Sequence, residues 1–163
     1  MQTRHTRTRK GLTFVVKGSI IKSYLNSMAR MTSGKQREFY VWVLENGKSF
    51  GPMKRITSPQ DVKHLNMYKY STQPKQCYYN SQLSSLGNKL EYYEGWYVTD
   101  GIPIPLEHGF NVLNGKVVDF TAYRKFKVLE YFGVLIPEKF ISKEMAKTGI
   151  SGQVIFKYWK SKL

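Results

Sequence analysis

The chain contains one cysteine, Cys77; His108 follows 31 positions later and Asp119 another 11 after that. A thiol, an imidazole and a carboxylate are the parts of nucleophilic acyl transfer. The thiolate attacks a carbonyl, the imidazole moves the proton, and the carboxylate fixes the ring's tautomer and steadies its charged form. Such a trio works only if the fold brings the three side chains together, so the elements that carry them decide the matter.

The stretch from Leu106 to Thr121 reads as a hairpin closed by Asn114-Gly115, a two-residue turn signal. That turn pairs Leu113 with Lys116, and it sets His108 opposite Thr121 and Asp119 opposite Phe110. His108, Phe110, Asp119 and Thr121 then share one face. His108 and Asp119 become diagonal neighbours with Cα atoms about 7–8 Å apart, a gap that an imidazole and a carboxylate can bridge. On this register Asp119 accepts the Nδ1 proton and Nε2 faces the nucleophile. Glu107 and Asn111 point to the opposite face. Cys77 to Leu86 reads as a helix ended by Gly87-Asn88, with Pro74 bringing the chain in extended. A cysteine at a helix start meets unpaired N–H groups and partial positive charge, which favour thiolate and can hold an oxyanion. Gln76 and Gln73 are candidate side-chain donors to that oxyanion. Most of the aromatics here read as core or half-buried sheet residues, with Tyr78, Trp96 and Phe110 placed to wall a substrate cleft.

The local text adds a likeness. Gln76-Cys77-Tyr-Tyr-Asn80, Glu94-Gly95-Trp-Tyr-Val98, Glu107-His108-Gly-Phe-Asn111 and Gly115-Lys-Val-Val-Asp119-Phe-Thr121 follow one another in order. Across about residues 73–121 this resembles the transglutaminase-like branch of the papain-like cysteine enzymes, as a small bacterial or phage-type member. Gly109-Phe110 departs from the small-then-Trp pair more usual after the histidine. The resemblance implies an α+β fold in which the helix carrying Cys77 packs on an antiparallel sheet carrying His108 and Asp119. It also implies an amide, peptide or protein substrate and no cofactor. One such fold hosts hydrolases, deamidases, transglutaminases and catalytically retired descendants, so it names no substrate.

Elsewhere, residues 1–10 read as a basic arm expected to be disordered, and 11–163 as a single α+β domain. The expected elements are a strand over Leu12–Lys17 and a helix over Ser19–Met31. Phe39–Leu44 reads as a strand turning at Asn46-Gly47 into Lys48–Phe50, and residues 60–65 as a short helix. Leu90–Thr99 reads as a strand, Pro137–Lys147 as a helix stopped at Gly149, and Gln153–Trp159 as a last strand. Glu94 reads as a surface acid of its strand. Gly95 within it suggests a bulge or a close backbone approach. His5 and His64 read as surface residues.

With 41% apolar residues and 15% aromatics the chain can build a core, and a single cysteine excludes an internal disulfide and cysteine-rich zinc sites. No apolar run approaches the length of a membrane span, so a cytoplasmic protein is expected, in the host cytoplasm for a phage product. Net charge is +15: about +8 over residues 1–38, +3 over 39–74, −2 over 75–120 and +6 over 121–163. The basic flanks could meet nucleic acid, an anionic surface or an acidic partner, so a nucleic-acid- or host-protein-binding module is the alternative function.

Overall fold

Asn114 and Gly115 have φ of 50° and 77°, the pair of positive values that a tight hairpin turn requires. They join β3 (Leu106–Leu113) to β4 (Lys116–Val118) in the expected register, with Leu113 opposite Lys116, Val112 opposite Val117 and Asn111 opposite Val118. The computed structural model describes residues 18–51, 73–86, 90–121, 126–149 and 152–163. The arm, the 12–17 strand, the 60–65 helix, His5, His64 and Gly87-Asn88 lie outside the described residues.

The sheet runs β1-β5-β2-β3-β4, with β1 at Lys48–Phe50, β2 at Glu91–Thr99 and β5 at Val128–Ile136. Every pairing is antiparallel, and five helices accompany the sheet among the described residues, so the fold is α+β. Side-chain alternation splits the sheet into two faces. On one, Tyr92, Trp96, Val98, Phe132, Val134 and Ile136 meet the helices. On the other, Tyr93, Phe110, Val112, Val117 and Tyr131 form a second apolar cluster with Phe50.

Helix α1 (Ile20–Met31) is capped by Ser19, whose Oγ accepts from Lys22 N–H, and it buries Ile21, Leu25 and Ala29 along one face. Helix α2 (Gly34–Asn46) is where the expected strand at Phe39–Leu44 fails. Its aromatic and β-branched text suits a strand locally, but Phe39 and Val43, one helical turn apart, are the residues that bury. Lys48–Phe50 is a strand, yet its partner is β5 rather than the preceding segment. The expected strand at Gln153–Trp159 is instead α5 (Ile155–Lys160), which buries Ile155 and Trp159 at the same spacing. Helix α4 (Glu138–Thr148) ends as read, with Gly149 left-handed at φ 64°. Strand β5, which lies inside the sheet between β1 and β2, has no counterpart among the expected elements.

At that centre Gly95 lies opposite Gly133. A Cβ at Gly95 would strike the Phe132 carbonyl oxygen and stand 2.5 Å from the Gly133 Cα, so close backbone approach is the need met. The strand irregularity falls elsewhere, between Val98 and Thr99. Because backbone cannot yield as a flexible side chain can, Gly95→Ala should destabilise the protein by at least about 1–3 kcal/mol, read as a lowered urea midpoint.

Next to Gly95, Glu94 is fully buried rather than at the surface. Its carboxylate accepts from the N–H groups of Val154 and Ile155 at 2.9–3.0 Å, and from the Tyr92 hydroxyl at 2.8 Å. It therefore serves the orphan N–H groups that open α5. Burial pushes this carboxyl up to about 7, against the pull of those donors. An unfolded glutamate titrates near 4.5, so between the two values the folded state holds the extra proton. The stability this gives is fully present below the lower value and is lost as pH rises through the higher one. Glu94→Gln should flatten that part of the stability profile, read as urea midpoints at about pH 5 and about pH 8.

Candidate functional site

Strand β4 stops at Val118, and this early stop makes the site. Leu113 and Lys116 flank a two-residue turn, so every second residue along β3, Asn111 and then Gly109, aims its N–H and C=O at the β4 side. Beyond Asn111 no β4 residue remains to receive them. Helix α3 (Cys77–Ser85) fills that place. Ser81 Oγ donates to the Gly109 carbonyl at 2.8 Å, and the Gly109 backbone reaches the Cys77 sulfur. Asn111 Nδ2 donates to the Ser81 carbonyl at 2.9 Å and fixes the next turn of the helix. Space at 109 is tight, since a Cβ there would lie 3.0 Å from both the Tyr78 ring and the Tyr92 hydroxyl, and these side chains would have to give way.

His108 and Asp119 lie together, with Cys77 close by on α3. His108 Nε2 is 2.9 Å from Asp119 Oδ2, both residues being buried. Cys77 is half-buried and near enough to His108 for the ring to act on the thiol. The ring is turned end for end relative to the expected orientation: Nε2, not Nδ1, meets the carboxylate.

Two tyrosines and two polar residues complete the arrangement. Tyr131 on β5 donates its hydroxyl to Asp119 Oδ2 at 2.8 Å, and the Thr121 N–H donates to Oδ1 at 2.9 Å. Tyr97 packs its ring on His108 with centroids 4.5 Å apart. Asn80, three residues into α3, donates from Nδ2 to the Gln73 carbonyl at 2.8 Å and to Thr121 Oγ1 at 2.9 Å. Its Oδ1 accepts from Gln73 N–H at 2.9 Å. Asn80 thus ties the approach to Cys77 to the turn that follows Asp119. Thr121 was already on the histidine's face by the hairpin register. Asn80 had a helical spacing from Cys77 to mark it, whereas Tyr131 sat on a strand that was not recognised.

The electrostatics follow from these contacts. Burial raises the Cys77 thiol, but the hydrogen bond and charge of His108, with backbone hydrogen bonds from Gly109 and Tyr78, bring it below its ordinary value. Burial disfavours charge on His108, yet Asp119 foremost and then Cys77 lift the ring to about 9. Both shifts favour a thiolate–imidazolium pair.

The remaining candidates are placed as follows. Gln73 and Gln76 are exposed, and Gln76 makes no side-chain cap on α3, so Gln73 contributes its backbone to Asn80 instead of an amide to the sulfur. Tyr78 is half-buried against Gly109, its hydroxyl pushed up by burial first and then by Glu94, Cys77 and Glu107. Trp96 is buried on the helix-covered face, and Phe110 is fully buried between Phe50, Tyr93 and Tyr131; both serve the core and neither offers a cleft wall. Glu107 is exposed and accepts from Gln153 Nε2 at 3.2 Å. Among the described residues no three His, Cys, Asp or Glu side chains gather as metal ligands, and no helix is long and apolar enough to cross a membrane.

No protein-family model matches the chain, and no curated protein or solved structure matches it.

Asn80→Ala removes three hydrogen bonds at once and strands the Gln73 backbone. The expected result is a loss of about 1–3 kcal/mol in denaturant unfolding, together with slower alkylation of Cys77 as the thiol drifts from His108.

Proposed function

We propose that this protein is a cysteine-nucleophile acyl-transfer enzyme with a papain-like, transglutaminase-like core, acting on an amide of a peptide or protein. The observation that carries this is the single chain of contacts from the Cys77 sulfur through the His108 ring to the Asp119 carboxylate, with the last link at 2.9 Å.

In this reading the Cys77 thiolate attacks the substrate carbonyl and forms a tetrahedral oxyanion. His108, protonated in the resting pair, gives its proton to the departing amine, and a thioester to Cys77 remains. His108, now neutral, takes a proton from an incoming water or amine, which cleaves the thioester, expels the thiolate and restores the thiolate–imidazolium pair. Peptide or isopeptide hydrolysis, glutamine deamidation and transamidation share this course. Asp119 accepts from His108, Thr121 and Tyr131 and holds the imidazolium through each proton movement. The N–H groups at the start of α3 are the nearest source of oxyanion stabilisation. The active form requires thiolate and imidazolium together. It is present above the lowered thiol value and is lost as pH rises through about 9, where His108 gives up its proton.

The chain's charge of +15 favours a second reading, a basic binding module that keeps this fold without its chemistry. Its mark would be nucleic-acid binding that weakens steeply with salt and survives Cys77→Ala.

The deciding experiment is alkylation of the folded protein by iodoacetamide across pH. The inflection should fall below the ordinary thiol value of about 8.5, and His108→Ala should move it upward. An inflection at or above the ordinary value in the unaltered protein would overturn the enzymatic reading.

A further inference from the structure

Asp119 Oδ2 receives two hydrogen bonds, one from His108 Nε2 at 2.9 Å and one from the Tyr131 hydroxyl at 2.8 Å. Oδ1 is held separately by the Thr121 N–H at 2.9 Å. The carboxylate would therefore stay in place without Tyr131, so the phenol is not required merely to aim it. Tyr131 is itself held firmly. It is 2% exposed, sits in the middle of the sheet opposite Tyr97, and packs its ring on Phe110 with centroids 5.0 Å apart.

A hydroxyl that donates to a carboxylate draws negative charge off the oxygen that accepts it. Here that oxygen is also the one that holds the imidazole. A bare carboxylate at this distance in a buried site binds an imidazolium proton tightly, and a general acid that cannot release its proton is a poor one. We propose that Tyr131 is a positioning and tuning residue for the His108–Asp119 pair: it shares the carboxylate oxygen with the ring, weakens the ring's hold on its proton, and so lets His108 act as both acid and base. This rests on the enzymatic reading of Cys77 and His108 given above, and it adds a residue from a strand outside the three-residue constellation.

Tyr131→Phe removes the hydroxyl and keeps the ring that fills the core. In the variant, the His108 titration followed by NMR should move upward by about one pH unit. The same replacement in an Asp119→Asn background should leave His108 unmoved, because no anionic oxygen remains to be shared. In the unaltered protein, carrying tyrosine labelled with carbon-13 at Cζ, the Tyr131 signal should inflect at the pH where His108 titrates, and this needs no variant to fold. A His108 titration that is unchanged or lowered in Tyr131→Phe would overturn the proposal, as would a Tyr131 signal flat through the His108 transition. Either failure is separable from failure of the enzymatic reading, which shows in the iodoacetamide profile of the unaltered protein.

Discussion

The unpaired edge of β3 at Gly109 is the constraint around which the site is arranged. A buried strand edge cannot leave its N–H and C=O groups without partners, since each such group costs about 1–3 kcal/mol. When β4 ends at Val118, α3 supplies the missing partners with the Cys77 sulfur and the Ser81 hydroxyl. The helix is thereby held against the strand by Ser81 and Asn111. A sulfur that satisfies Gly109 necessarily lies beside His108, the next residue back. The juxtaposition that lowers the thiol's titration is also the repair of a broken ladder.

Around that edge, charge is handled by sharing. Asp119 spreads its charge over His108, Tyr131 and Thr121, and His108 stands between two anionic partners, which outweighs the burial that would otherwise strip its proton. The arrangement resembles a short wire of alternating donors and acceptors, closed at one end by the Thr121 backbone and open at the other at a half-exposed sulfur. Asn80 braces it from the side, because the loop entering α3 and the turn leaving β4 both terminate on its amide.

The sequence carried the hairpin and the helix start well, for a physical reason. Asn114-Gly115 permits only a narrow turn, and strand periodicity then determines which residues share a face, so the His108–Asp119 meeting could be worked out by counting. Orientation of the ring could not, because it depends on where α3 docks. Segments 39–44 and 153–159 misled because aromatic and β-branched residues suit a strand locally, while burial of Phe39, Val43, Ile155 and Trp159 at one-turn spacing decided for helix. Strand β5 escaped because Val128–Ile136 is nearly continuous in apolar character, without the alternation that betrays a half-buried strand. With β5 went Tyr131. Glu94 misled for the opposite reason, since a lone acid in a strand normally faces water, and its partners lie 60 and 61 residues further on.

That long separation has a bearing on how the molecule is made. Strands β2 and β3 and helix α3 emerge from the ribosome well before Val154 and Ile155. During that interval the carboxyl in the middle of β2 has no backbone amides to receive it. Closing the helix-covered side of the sheet around it then would bury an unmet acid, so that side stays open, or keeps Glu94 protonated, until the 152–155 segment is released from the exit tunnel. Completion of the helix-covered side is thus gated by a segment that emerges late.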